Sequence, residues 1–234
     1  MASSLHDFLA SILPSDVKVA GVPIDSAHED MFAVERLVIS RAVDKRRREF
    51  SAGRAYARLA LAAWGCPPQP IPVSANRVPL WPKGYVGSIS HSNDLCAAVV
   101  AKTEVYAALG LDIESAAPLP VDLQDMICRR EEQFCRSIPG CDLAKLLFVA
   151  KEAVFKAYYP LTGIFLDFHD VVIEVDSANT SFEATLIDHE KRHVSANRPL
   201  VGRFGALDAH IVAVVTIARA AMDDNAGKHS DDAV

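Results

Sequence analysis

Two carboxylates stand two residues apart in the segment GLDIE, at Asp112 and Glu114. If this segment is a strand, residues two apart point to the same face, so the carboxylates lie side by side while Leu111 and Ile113 face the core. Adjacent carboxylates raise each other's pKa unless a cation lies between them, and a hard divalent cation takes oxygen ligands of this kind. The pair therefore indicates either a metal site or a solvated strand end, where acidic residues are common.

A further carboxylate lies beside a lysine in the segment KEAVFK, at Glu152 and Lys156. Residues four apart share one face of a helix, and a glutamate placed before a lysine commonly stabilises a helix by about 0.2–0.5 kcal/mol. The same spacing also fits a third metal ligand, or a base, beside a phosphate-binding lysine. Both interpretations stay open on these residues alone.

Candidate phosphate-binding residues occur in two other segments. In GSISHS, Gly87–Ser92, the glycine and the small hydroxyl residues let a phosphate approach the backbone, and His91 can donate a hydrogen bond to it. The basic run Lys45–Arg48, together with Arg54 on the same predicted helix, offers guanidinium groups that bind phosphate through two hydrogen bonds. The alternatives are a hydrogen-bonded surface histidine and a solvated helix face.

The bulk composition excludes some classes of protein. The chain has 234 residues, of which 50% are hydrophobic and 23% charged, a profile typical of one large globular domain or two small ones. Its net charge of −6 argues against a dedicated nucleic-acid binder. We find no pattern of a signal peptide and no apolar run of about 18 residues, so we expect no membrane association. Five cysteines without a CxxC pair indicate reduced thiols and a cytoplasmic protein.

The elements that position these residues can be predicted from periodicity and turn residues. Helices are predicted for residues 1–15, for 44–64, where apolar residues recur every 3.6 positions, and for Asp142–Tyr159, which we expect Pro160 to end. A strand is predicted at Val17–Pro23. The other predicted strands are VGSISHS, LCAAVVAK, LGLDIE, DVVIEV, SFEATLI and HIVAVVTIA.

The ordered combination of an arginine-rich helix, WPKGYVGSISHS, GLDIE and KEAVFK resembles the phosphopantetheinyl transferases, in particular the branch typified by enterobactin synthase component D. The hallmarks G-x-D-x-E and x-x-x-K-E-x-x-x-K are matched by Gly110–Glu114 and Phe148–Lys156, where Phe148 replaces the usual tryptophan. The resemblance covers residues 44–166, more than half of the chain. It implies transfer of 4′-phosphopantetheine from coenzyme A to a serine of an apo peptidyl, aryl or acyl carrier protein, giving holo-carrier and adenosine 3′,5′-bisphosphate.

The resemblance also implies roles for the carboxylates and lysines. Asp112, Glu114 and Glu152 are expected to bind Mg²⁺, although oxygen ligands would serve Mn²⁺ as well. Asp112, Glu152 and Lys156 are the expected catalytic residues. Either Glu152 or a metal-bound water removes the proton from the carrier serine, and Lys156 stabilises the transferring phosphate with Lys151 nearby.

The family further implies which residues contact coenzyme A. His91 is expected at the 3′-phosphate, and Arg77 belongs to a loop that frames the adenine, in place of a lysine common in related enzymes. The expected coenzyme A-binding residues are Arg46, Arg54, Arg77, Ser90, His91, Lys151 and Lys156.

The family fold is α/β (α+β), a pseudo-dimer of two similar halves with the ligand cleft between them. We accordingly expect an N-terminal half at 1–109 with the nucleotide contacts, a C-terminal half at 110–221 with the metal and catalytic residues, and a disordered tail at 222–234. A faint echo fits two halves, since His91 and His210 open comparable alanine/valine strands, although chance explains such strands better. We do not expect His210 to be catalytic, and we expect a monomer.

The carrier docking surface is predicted between residues 116 and 141, which follow GLDIE and lack a strong core pattern. Carrier proteins are acidic around their serine, so Arg129, Arg130 and Arg136 are candidates to assist docking. Siderophore-type peptide synthetases fit the closest resemblance, while polyketide and fatty-acid carriers stay open.

Three alternatives remain at this stage. A coenzyme A-binding protein without transferase activity would keep its function when Glu152 is replaced. A metal-dependent phosphohydrolase would release phosphopantetheine without an acceptor, but the eight histidines are scattered. A scaffold role has no support, because the sequence shows no clear repeat and no heptad pattern.

Overall fold

A computed structural model describes residues 5–24, 31–92, 94–134, 141–187 and 199–219 of the chain. The chain divides into two compact units between Lys102 and Thr103. The expected disordered tail at 222–234 lies outside the described residues.

The first unit places one long helix on a three-stranded antiparallel sheet. Its elements are α1 (Leu5–Ile12), β1 (Lys18–Pro23), α2 (Ala33–Val38), α3 (Asp44–Ala62), β2 (Tyr85–Ser92) and β3 (Leu95–Lys102). The strand order is β1-β3-β2, and α3 packs on β3 and β1. The packed face of α3 carries Ala52, Ala57 and Ala60, all fully buried, so the helix lies close to the sheet.

The second unit places one long helix on a five-stranded antiparallel sheet. Its elements are β4 (Tyr106–Ser115), α4 (Val121–Ile127), a 3₁₀ turn (Arg130–Phe134), α5 (Leu143–Thr162), a second 3₁₀ turn (Phe168–Asp170), β5 (Val171–Asp176), β6 (Ser181–Leu186), β7 (Leu200–Leu207) and β8 (His210–Ala218). The strand order is β4-β8-β7-β6-β5, and α5 packs on β4 and β8. The expected α+β class, with mixed helices and antiparallel sheets, is confirmed.

The predicted end of the second long helix was wrong. Asp142 caps the start of α5 by accepting a hydrogen bond from the Lys145 N–H at 2.8 Å, but Pro160 lies inside the helix. The helix continues because Leu161 still packs against the core, and it ends only where Gly163 adopts φ 68° and donates its N–H to the Tyr159 carbonyl at 2.9 Å.

Strand β7 was not predicted, because Gly202 and Gly205 weaken its strand pattern. A Cβ at Gly202 would overlap the ring of Phe182 on β6, so this glycine makes room for a buried aromatic. The proposed echo is also corrected: His210 opens β8, whereas His91 lies near the end of β2 and does not open β3. Both β3 and β8 are interior strands with both faces buried, which explains their similar composition.

Two further expectations concern thiols and membranes. Four cysteines lie in the described parts of the chain, and all four are free thiols: Cys66, Cys96, Cys128 and Cys141. Within the same ranges no helix combines the length and apolar composition that crossing a bilayer requires.

Gly110 on β4 controls how closely α5 approaches the sheet. A Cβ built on Gly110 would overlap the Ala153 carbonyl oxygen and would lie 2.8 Å from the Ala157 backbone nitrogen. The obstacle is helix backbone, which cannot rotate away as a side chain can. Residues Gly110, Asp112 and Glu114 point to this same face of β4, so the closeness permitted by Gly110 also fixes where α5 side chains lie along the strand.

We therefore predict that Gly110→Ala lowers the free energy of unfolding by about 1–3 kcal/mol, the cost of overpacking a well-packed core. The measurement is urea unfolding monitored by circular dichroism. An unfolding free energy within about 0.5 kcal/mol of the parent, the range of an ordinary surface substitution, would contradict the close approach described above.

Candidate active site

The predicted carboxylates and lysine of β4 and α5 come together in the second unit. Lys156 Nζ donates to Asp112 Oδ1 at 2.6 Å, and the Asp112 side chain is only 6% exposed. Glu114 lies two residues further along the same face of β4, and Glu152 lies one helical turn before Lys156. Four of the residues singled out from sequence thus form one cluster: Asp112, Glu114, Glu152 and Lys156.

The pKa values of the two glutamates show that the cluster is electrostatically coupled. Burial raises the pKa of Glu152, the charge on Asp112 raises it further, and Lys156 opposes both effects. Burial also raises the pKa of Glu114, again reinforced by Asp112 and opposed by Lys145 and Lys156. The cluster therefore favours the entry of positive charge.

The donor set fits a hard divalent cation, because three carboxylates offer only oxygen ligands and repel one another until a cation lies among them. Within the described ranges, however, no three histidine, cysteine, aspartate or glutamate side chains are already gathered around a possible ion position. The Lys156 ammonium balances the Asp112 carboxylate instead. The metal role of Asp112, Glu114 and Glu152 stays a prediction.

Lys145 is a site residue that the sequence reasoning missed. Its Nζ lies 4.0 Å from Glu114 Oε2, its side chain is 10% exposed, and it lies 5.5 Å from the ring centroid of Phe148. Helical spacing could have found it, since Lys145 precedes Glu152 by two turns and shares its face. Phe148 packs against Phe168 at 5.7 Å between ring centroids, as expected for an aromatic that joins the helix to the core.

The structure places Lys151 elsewhere, although it is adjacent to Glu152 in sequence. Its Nζ donates to Glu132 Oε2 at 2.8 Å, to the Ile127 carbonyl at 2.8 Å and to the Phe168 carbonyl at 2.9 Å. These three bonds use every donor of the ammonium, and the side chain is 1% exposed. The expectation that Lys151 lies beside Lys156 and contacts coenzyme A is corrected, because consecutive helix residues point about 100° apart.

In the first unit, Arg46 and His91 come together. Arg46 Nη1 donates to His91 Nε2 at 2.9 Å, which makes Nε2 the acceptor and leaves the ring proton on Nδ1. Glu49 Oε2 lies 3.6 Å from Arg46 Nη1 and 3.7 Å from His91 Nε2, so this carboxylate, missed in the sequence reasoning, forms an ion pair with Arg46 beside the histidine. The Arg46 side chain remains half-exposed.

Ser90 and Arg54, two residues expected to bind coenzyme A, are both buried. The side chains of Ser88, Ser90 and Ser92 are buried on one face of β2, whereas His91 and Ile89 point to the other face. Arg54 is 4% exposed, and its Nε donates to the Ile71 carbonyl at 2.7 Å. Its guanidinium lies 4.3 Å from the ring centroid of Phe50, and a contact of Arg54 with coenzyme A stays a prediction.

A buried ion pair holds the proline-rich loop that contains Arg77. Arg58 Nη1 donates to both carboxylate oxygens of Glu35, at 2.8 and 3.0 Å, and Glu35 Oε1 also accepts the Ile71 N–H at 2.8 Å. Further along, Arg77 closes a turn by donating its N–H to the Ser74 carbonyl at 2.9 Å, with φ 63°. Arg77 is exposed at the turn, so its guanidinium is open to a ligand.

The predicted carrier-docking segment is described only as far as residue 134. Arg129 Nε pairs with Glu131 Oε1 at 2.6 Å, and its Nη1 donates to the His169 carbonyl at 2.6 Å. Arg130 is exposed. Arg136 lies outside the described residues. On α4, Val121 and Met126 are exposed apolar side chains, 81% and 60% accessible.

The chain matches known families over both units. Residues 33–101 match the 4′-phosphopantetheinyl transferase N-terminal domain, and residues 108–215 match the 4′-phosphopantetheinyl transferase superfamily.

Three relatives cover much of the chain. The 4′-phosphopantetheinyl transferase Svp of Streptomyces mobaraensis is 36% identical over 76% of this chain and 76% of its own length. The 4′-phosphopantetheinyl transferase PptT of Mycobacterium tuberculosis is 34% identical over 76% of this chain and 82% of its own. Enterobactin synthase component D of Escherichia coli O157:H7 is 35% identical over 51% of this chain and 58% of its own.

Three findings point to the same family. They are the carboxylate–lysine cluster on β4 and α5, the arginine–histidine pair on α3 and β2, and relatives that align over three quarters of the chain. This chain belongs to the 4′-phosphopantetheinyl transferase superfamily.

Proposed function

We propose that the protein transfers the 4′-phosphopantetheine group of coenzyme A to a serine of an apo carrier protein and releases adenosine 3′,5′-bisphosphate. In this reaction the serine oxygen bonds to the phosphorus that carries pantetheine, the bond from that phosphorus to the bridging oxygen breaks, and the serine loses its proton. The observation that carries the proposal is the Lys156–Asp112 contact of 2.6 Å beside two glutamates with raised pKa values.

Lys156 and Glu152 supply the two charges that this transfer requires. The Lys156 side chain is 29% exposed, so its ammonium can turn partly from Asp112 and donate to a phosphate oxygen that gains negative charge. Burial and Asp112 raise the pKa of Glu152, which makes its carboxylate a better proton acceptor for the carrier serine.

Asp112, Glu114 and Glu152 are the residues that would hold Mg²⁺. When bound, Mg²⁺ neutralises the pyrophosphate and the charge that develops on it during transfer. Lys145 compensates the charge of Glu114 at the edge of the cluster and keeps this carboxylate near its position.

Arg46 and His91 would hold the 3′-phosphate of coenzyme A. The two side chains are hydrogen-bonded to one another, and Glu49 pairs with Arg46. A phosphate can accept from the Arg46 guanidinium and from the N–H of the His91 ring, and the charge-assisted bond to the guanidinium is about twice as strong as a neutral one. Arg77 would contribute at the adenine from its exposed turn, as the family resemblance implies.

We further propose that the carrier belongs to a siderophore or other peptide-synthesising assembly, which the similarity to enterobactin synthase component D supports over about half of the chain. The protein is expected to act in the cytoplasm as a monomer. The exposed apolar residues of α4 and the exposed Arg130 support docking of an acidic carrier on the segment 116–134.

The transfer is tested by intact-mass spectrometry of purified apo carrier proteins incubated with this protein, coenzyme A and Mg²⁺. We expect the carrier to gain one phosphopantetheine group. EDTA should abolish the gain because it removes Mg²⁺, and Glu152→Ala should abolish it because it removes a carboxylate that would hold Mg²⁺ and accept the serine proton. No gain on peptidyl, aryl or acyl carriers, while coenzyme A still binds, would support a binding protein without transferase activity.

The role of Arg46 is tested by comparing coenzyme A with 3′-dephospho-coenzyme A as substrates. We expect the parent protein to prefer coenzyme A, and Arg46→Met to reduce the preference about tenfold, the loss of one charge-assisted hydrogen bond. Arg36→Met, at an exposed arginine of α2, is the matched control and should leave the ratio of kcat/KM values unchanged. If Arg46→Met leaves the ratio of the two kcat/KM values unchanged, Arg46 does not contact the 3′-phosphate.

A further inference from the structure

Glu132 is a buried carboxylate that the transfer reaction does not use. Its side chain is 0% exposed and joins three parts of the second unit. Oε2 accepts the Arg129 N–H at 2.7 Å and the Lys151 ammonium at 2.8 Å, while Oε1 accepts the Ile173 N–H at 2.8 Å. One side chain therefore fixes the turn that follows α4, the first residues of β5, and α5.

Lys151 completes the same network from the helix. It also donates to the carbonyls of Ile127, the last residue of α4, and Phe168, in the turn before β5. Two further bonds run in parallel: Arg129 Nη1 donates to the His169 carbonyl at 2.6 Å, and His169 Nε2 lies 3.1 Å from the Asp125 carbonyl. The segment from α4 to Glu132 is thus bound to α5 and to residues 168–173 through these polar contacts, in addition to the packing of Ile127 and Cys128 in the core.

The network is adjacent to the active site through the helix itself. Lys151 and Glu152 are consecutive on α5, and their side chains point about 100° apart, so one points to the network and the other belongs to the carboxylate cluster. The segment held by Lys151 follows β4, which carries Asp112 and Glu114. The segment is therefore joined to β4 by the chain and bonded to α5 through Lys151, and these two elements carry the expected catalytic side chains.

We infer that the buried Glu132–Lys151 pair is a positioning device for the carrier protein: it fixes the surface of α4 and the following turn relative to Glu152, so that a docked carrier presents its serine to the site. The inference rests on the proposed function and extends it. Exposed Val121 and Met126 on α4 form the apolar part of this surface, and exposed Arg130 supplies positive charge that complements an acidic carrier.

A purely stabilising role makes a different prediction from a positioning role. Removing one partner of a buried ion pair leaves an uncompensated charge, whereas replacing both by apolar residues of similar volume is often neutral for stability. The double variant Glu132→Leu/Lys151→Met removes the hydrogen bonds that fix the segment but leaves no unpaired charge. It therefore separates positioning from stability.

The experiment compares the parent, Lys151→Met and the double variant in three measurements. These are the urea unfolding midpoint, steady-state transfer with the carrier varied or coenzyme A varied, and hydrogen exchange of the Arg129 and Ile173 amides. We expect the single variant to be destabilised most and the double variant to recover part of the midpoint, because it leaves no unpaired charge although four backbone groups lose a hydrogen-bond partner. In the double variant, kcat/KM for the carrier should fall about tenfold or more, the KM for coenzyme A should stay within about twofold, and both amides should exchange faster.

Glu174→Gln is the matched control, because it removes an exposed carboxylate from β5 and should change none of these quantities. A folded double variant with parental kcat/KM for the carrier, or an equal rise in the KM for coenzyme A, would overturn the inference. If the parent itself transfers nothing to any carrier, the proposed function fails. In that case the exchange rates and direct carrier binding to the parent and the double variant still decide the inference.

Discussion

The close contact between the α5 backbone and β4 at Gly110 is the constraint on which the active site depends. A side chain at this position would push the helix away from the strand, and every side chain of α5 that faces β4 would move with it. With the glycine, Lys156 Nζ reaches Asp112 Oδ1 at 2.6 Å. The small residues Ala153 and Ala157, both fully buried, belong to the same contact and leave room for it.

This contact brings several buried charges together, and their balance explains the chemistry of the site. Burial raises the pKa values of Glu114 and Glu152, and repulsion from the Asp112 carboxylate raises them further. Lys145 and Lys156 oppose it from the same helix face. An entering cation can pair with the carboxylates, and an entering phosphate can pair with the lysines. These groups are already charged and in place, so the site needs little reorganisation during the reaction.

The consecutive residues Lys151 and Glu152 show how one helix serves two surfaces. Glu152 belongs to the reacting cluster, while Lys151 uses all its donors to bind Glu132 and two backbone carbonyls. Because consecutive helix residues point about 100° apart, one residue of the Lys151–Glu152 pair lies in the reacting cluster and the other in the positioning network.

Local patterns in the sequence predicted most elements and which carboxylates share a face within each element, whereas only the family resemblance predicted that β4 and α5 bring these residues into one cluster. Alternation placed Asp112 and Glu114 on one strand face, and four-residue spacing placed Glu152 and Lys156 on one helix face, so these side chains followed from geometry that is local. The direction of Lys151 depended on which distant segment packs there, and no periodicity in residues 116–141 indicated Glu132. Strand β7 was not predicted because its glycines weaken the strand pattern. Gly202 is explained only by the ring of Phe182 on the neighbouring strand, which the local sequence does not indicate.

The arrangement of the site is tested most directly by a crystal structure of the protein with coenzyme A and Mn²⁺, in which anomalous scattering locates the metal. We expect the metal within about 2.0–2.3 Å of carboxylate oxygens from Asp112, Glu114 and Glu152. Lys156 Nζ should then lie within hydrogen-bond distance of a pyrophosphate oxygen. A metal bound away from these carboxylates, with Lys156 remote from the pyrophosphate, would contradict the account.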